Sequence, residues 1–165
     1  MRTSDSVERL RSELSQDLRF VEINYAKNRE MTDRIAASEH ADEFDYAALG
    51  YTLHNLYNSL ESYFARIAKF FENSIDERDW HRSLAERMTL EIEGVRPALF
   101  DLDFSFRVDE LRRFRHLFRN LYKTPLVPQK VLFANKAAEG MATGFREHHE
   151  QFDRFLRELK AQILE

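Results

Sequence analysis

A chain of 165 residues, 43% hydrophobic and 33% charged with a formal net charge of −4, is sized for one domain around one core. The absence of cysteine excludes disulfides, thiol catalysis and cysteine-ligated zinc, and agrees with a reducing compartment. No run approaches the ~20 apolar residues of a membrane span, and the charged start MRTSDSVERLRSEL lacks a signal peptide's apolar centre, so a cytoplasmic protein is expected.

With 4 Gly, 3 Pro and few β-branched residues beside Leu, Phe, Glu, Arg and Ala, helix is favoured nearly everywhere. The first helix is expected from Ser6 to about Ala37, on Val7, Leu10, Leu14, Leu18, Val21, Tyr25 and Ile35, with Asp5 and Glu8 as its capped start. The second should run from Glu43 to Asn73, where Tyr46, Leu49, Leu53, Tyr57, Leu60, Phe64, Ile67 and Phe71 keep a three-or-four step. A third carries Trp80, Leu84, Met88 and Ile92 to Gly94 and stops or kinks at Pro97. The fourth spans roughly Ser105 to Tyr122 and ends before Pro125 and Pro128. Pro128 then opens a fifth helix carrying Val131, Ala138, Met141, Phe145, Phe152, Leu156, Leu159 and Ile163. Gly140 and Gly144 fall inside it; interior glycines cost about 1 kcal/mol each against alanine, so they predict a close helix approach.

The fold class expected is all-α, one domain over 1–165, an up-and-down bundle of about five helices. With 14 Phe, such a chain retains apolar surface after one small core is filled, which predicts a homodimer.

The chemistry concentrates in LRRFRHLFRNLY (111–122). At 100° per residue, Val108, Leu111, Phe114, Phe118 and Leu121 share one face, and Arg112, His116, Arg119 and Lys123 line the next. Arg115 breaks the pattern: it lies about 40° from Leu111, inside the apolar face, with Tyr122 beside the same line. A guanidinium there must pair with a carboxylate, reach solvent along its stem, or line a cleft where phosphate is the counter-ion. On the second helix, His54, Asn58 and Glu61 share a polar stripe away from the core stripe. A solvated face is the first explanation for it, and the set is too sparse for a metal site. His148 and His149 read as surface, and no Walker loop, GxGxxG, GxSxG or HExxH occurs.

In order and spacing, LHNLYNSLE (53–61), WHRSL (80–84), VRP (95–97) and LRRFRHLFRNLY (111–122) resemble the HepT-like branch of the HEPN superfamily, over about residues 42–155. That resemblance implies a HEPN-like helical bundle that dimerises, and a toxin paired with a small nucleotidyltransferase antitoxin of the MNT type. Its diagnostic motif is Arg, four to six residues, then His, often followed two residues later by Tyr. Arg115 matches the arginine and Tyr122 the tyrosine, whereas the histidine position holds Asn120.

Members of this type resemble metal-independent ribonucleases needing no cofactor, with the histidine moving the 2′-hydroxyl proton and the arginine stabilising the attacked phosphate. Arg115, His116 and Asn120 are therefore the candidate catalytic positions, and Arg112, Arg119 and Lys123 the candidate RNA contacts. His54, Asn58 and Glu61 stand as a supporting stripe. Asn120 cannot titrate near neutral pH, and His116, which can, points about 100° from Arg115 on an unbroken helix. Asn120 would point about 140° away, so a shared site needs a dimer cleft or a distortion near the helix end. The resemblance also makes Tyr122 a target for AMP transfer; the plainer reading is a core-edge aromatic. Three functions stay open: a HepT-like RNA endonuclease toxin, a catalytically silent HEPN module binding RNA or a nucleotidyltransferase, and a structural helical dimer.

Overall fold

The computed structural model describes residues 3–72 and 80–164. Among them are six helices: α1 (Ser4–Ala37), α2 (Glu43–Glu72), α3 (Trp80–Met88), α4 (Leu102–Arg119), α5 (Pro128–Ala137) and α6 (Met141–Leu164). The expected end of the second helix, Asn73, lies outside the described residues.

Helix α2 is the hub, packing against α1, α3, α4 and α5, while α6 closes on α1. Directions follow from the polar contacts. Arg66 pairs with Asp17 at 2.6 Å while Asn28 donates to Thr52 Oγ1 at 3.0 Å, so numbers fall along α1 as they rise along α2 and the pair is antiparallel. Arg11–Asp153 and Lys160–Glu8 make α1 and α6 antiparallel by the same test. The result is an all-α up-and-down bundle.

Its core is the stripe the spacing predicts. Leu49, Leu53, Leu60, Phe64 and Ile67 are fully buried, and Tyr63 and Phe64 meet Phe145 of α6 edge-on, with centroids 4.8 and 6.1 Å away. Offset and edge geometry is what the ring quadrupole favours, and it adds to the area each ring removes from water.

Several local expectations are corrected. Helix α1 is capped by Thr3, whose hydroxyl accepts from Ser6 N while the Ser6 hydroxyl caps back, instead of by Asp5 and Glu8. After Met88 the chain leaves the helix for a turn in which Ile92 and Arg96 exchange backbone hydrogen bonds and Gly94 takes φ 69°; Ile92 is therefore not helical. Arg96 closes that turn, its buried guanidinium donating to Glu72 Oε1 at 2.6 Å and to the Leu90 and Arg87 carbonyls.

The expected fifth helix is two elements. Gly140, at φ 65°, adopts the left-handed conformation that ends helices, and α6 starts at the next residue. A Cβ added at Gly140 would meet nothing within 4 Å, so its role is that of a breaker, with its N–H donating to the Tyr25 hydroxyl of α1 at 2.9 Å; a Cβ at Gly144 would stand 3.7 Å from Phe104, in ordinary contact. The close approach is at Gly50 instead. A Cβ there would stand 2.8 Å from Phe118 and 3.2 Å from Phe114, so α4 lays its two rings on bare α2 backbone. That contact sets the depth at which Arg115 sits.

Candidate functional site

The site forms at the α2–α4 seam. Leu111 and Phe114 turn α4 inward, and Arg115, on the same face, is carried in with them to 6% exposure. Its Nη1 donates to Glu61 Oε1 and to Asn58 Oδ1, both at 3.0 Å, and its guanidinium lies over the Tyr57 ring at 4.6 Å. Of the three arrangements open to this arginine, the carboxylate pair is the one observed.

The stripe on α2 is therefore not a solvated face: Asn58 and Glu61 are occupied by Arg115. The network continues, because Asn58 Nδ2 lies 3.0 Å from His54 Nε2. Arg115 can only donate, so Asn58 must present its carbonyl oxygen to it and its amide N–H to His54. His54 Nε2 is then the acceptor and Nδ1 carries the proton, buried and without a partner among the described residues. Burial first, then the charges of Arg119 and Arg115, hold His54 below its ordinary 6.5, so it is neutral at neutral pH.

Tyr57 is held protonated: burial, reinforced by the Glu61 carboxylate, pushes its hydroxyl well above 10, against the opposing pull of Arg115 and Arg112. Both Arg115 hydrogen bonds leave from Nη1. Among the described residues its Nη2 and Nε have no acceptor and are not fully enclosed, so they can still reach an anion entering the seam. Sequence reasoning placed Tyr57 only in the core stripe; its position one residue before Asn58 and one turn before Glu61 was the available signal.

The other expected residues divide. Asn120 is the C-cap of α4, where the helix ends before the expected Tyr122, and its Nδ2 donates back to the His116 carbonyl at 2.9 Å. Its side chain is thus spent on its own helix end and does not join the Arg115 network. His116 is exposed in the last turn, followed by exposed Arg119, then Tyr122 and Lys123 in the turn after the helix. Cations here also complement the negative end of the helix. Arg112 is less available, its Nε bonded to Asp109 at 2.7 Å. Tyr122 is 81% exposed with Lys123 Nζ 5.4 Å from its ring centre, which overturns the core-edge reading. Among the described residues, no group of three His, Asp or Glu is placed to hold a metal.

The reading of His148 and His149 as surface is also corrected. His149 is 9% exposed with Nδ1 2.9 Å from the Tyr63 hydroxyl, and His148 packs edge-on to Phe104. Burial lowers the pKa of both, as it does for His54. A histidine with a lowered folded-state pKa binds protons better when unfolded, so its penalty is absent above 6.5 and grows as pH falls from there toward the folded value. The urea midpoint is therefore expected to be lower at pH 5.5 than at pH 7.5; an equal or higher midpoint would contradict these burials.

No helix of the described residues is long and apolar enough to cross a membrane. Comparison with curated proteins and with solved structures finds no match to either. A family model described as HepT-like protein matches residues 48–156, a span that begins within α2, takes in the whole α2–α4 seam and ends within α6. The chain belongs to the HepT-like family.

Proposed function

We propose that this chain is a HEPN-type endoribonuclease module of the toxin–antitoxin class, acting without a metal and weakened by Asn120. The observation that supports it is the setting of Arg115: buried, fixed through Nη1, with Nη2 and Nε left for a phosphate oxygen. A preorganised donor aimed where charge develops is what phosphoryl chemistry requires. The 2′-oxygen attacks the adjacent phosphorus as its proton leaves, and the 5′-oxygen departs with a proton, leaving a cyclic 2′,3′-phosphate.

His116 is the exposed titratable group next along the helix, and is assigned the proton transfer that Asn120 cannot perform. Arg119 and Lys123, without an ion-pair partner among the described residues, hold the flanking phosphates, with a smaller share for Arg112. The functional unit is a homodimer working with an MNT-type nucleotidyltransferase, for which exposed Tyr122 is the acceptor of AMP. Negative charge added there would repel RNA from Arg119 and Lys123.

A catalytically silent HEPN module that binds RNA or the nucleotidyltransferase is the second reading. It is favoured by one observation: Glu61 neutralises Arg115 while Asn120 is turned back on its helix. The separating experiment is incubation of end-labelled RNA in EDTA. Fragments with cyclic phosphate ends are expected; stable binding without fragments would establish the silent module instead.

A further inference from the structure

A second polar cleft, remote in sequence from the Arg115 seam, lies between α1 and α6. It has a volume of about 790 Å³, within the range of small-molecule sites, and none of its lining residues comes from α2 or α4. Five arginines line it against Glu22, Glu150 and Asp153. The carboxylates are unevenly used: Asp153 is held by Arg11 and Arg157, and Glu22 by Arg146. Arg19 and Arg154 are exposed and bonded to no carboxylate among the described residues. The cleft therefore carries an excess of guanidinium charge although the whole chain is acidic.

Its floor supplies a neutral donor. The Tyr63 hydroxyl is fully buried, and its sole hydrogen-bond partner among the described residues is His149 Nδ1 at 2.9 Å. A buried O–H must give its proton to an acceptor, so Tyr63 donates and Nδ1 accepts. The imidazole proton then resides on Nε2. Among the described residues that atom has no hydrogen-bond partner, and His149 lines the cleft, so Nε2–H is left for a ligand there.

We infer that this cleft is a phosphate-binding site, in which His149 Nε2–H and the Ser15 hydroxyl meet phosphate oxygens between Arg19 and Arg154. The phosphate chemistry is shared by two sources, a free nucleotide and the RNA backbone. The α4 surface is not involved, so the site stands whether or not the Arg115 seam cleaves RNA.

The test is calorimetric titration of the full chain with pyrophosphate, with ATP and with a single-stranded oligouridine, repeated on Arg19→Glu/Arg154→Glu and on Arg119→Glu/Lys123→Glu. Each charge-assisted bond lost is worth about tenfold in affinity, so the cleft pair should weaken phosphate binding at least tenfold. Pyrophosphate binding that is lost on the α4 pair and kept on the cleft pair belongs to the α4 surface and overturns the cleft site. Binding of ATP and pyrophosphate assigns a nucleotide as the source, and binding of oligouridine alone assigns the backbone. No binding of any probe at millimolar concentration, or binding insensitive to the cleft pair, overturns the site. Both cleft arginines are exposed and unbonded, so an unchanged melting temperature is the control for folding.

Discussion

Glu61→Ala is expected to destabilise the protein by about 3 kcal/mol, because it strands the buried Arg115 guanidinium without its counter-charge. Asn58 would remain as a neutral acceptor, which softens the loss without replacing a carboxylate. The sign of the effect separates a structural pair from a decorative one. Replacing both partners by apolar residues of similar size, Arg115→Met/Glu61→Leu, should recover most of the loss, since no charge is then left buried. Urea unfolding of the three proteins reads this directly. A single variant as stable as the parent would mean that the Glu61 carboxylate is not what stabilises the buried Arg115 guanidinium.

The second large effect concerns the position that departs from the family motif. If the Arg115 seam acts on RNA, restoring a titratable ring by Asn120→His should raise the cleavage rate by about a hundredfold, the lower range for a positioned acid or base. Asn120 lies at the end of α4, where its amide caps the His116 carbonyl, so a new imidazole is not committed to the core. The exposed neighbours His116 and Arg119 leave room for substrate. Single-turnover cleavage of labelled RNA is the measurement; no gain over the parent would assign the proton transfer elsewhere, with His116→Ala as the discriminating partner variant.

Much of this architecture was legible in the sequence because apolar spacing repeats what burial needs. The Leu49-to-Phe71 ladder defines α2 almost to the residue, and Arg115 stands out by spacing alone as a charge on an apolar face. The family motifs pointed to the same segment. Four things were hidden.

A wheel describes one helix at a time, so it shows that Arg115 needs a partner but not that α2 supplies Glu61 and Asn58 across the seam. Their polar stripe looked solvated for that reason. Glycine carries two opposite meanings, breaker or contact point: Gly140 breaks a helix at positive φ, whereas Gly50, unremarked within the clearest periodic pattern, is where α4 rests on α2. Histidine is equally ambiguous, and only the packing of Tyr63 reveals that His149 is interior.

Helix ends were the least legible. The turn of α4 at Asn120 rotates Tyr122 off the apolar line and into solvent, where a wheel drawn through residue 122 keeps it inside. The same ending answers part of the geometric difficulty of the motif, since angles computed for an unbroken helix do not apply beyond Arg119.

The most direct test of the central claim is metal-free RNA cleavage by the parent chain and Arg115→Ala, compared at equal folded concentration set by circular dichroism. Loss of a preorganised donor to the phosphate should slow cleavage by a factor of about a hundred or more. Cleavage by folded Arg115→Ala at the parent rate would contradict the account, and would remove the α2–α4 seam from any catalytic role.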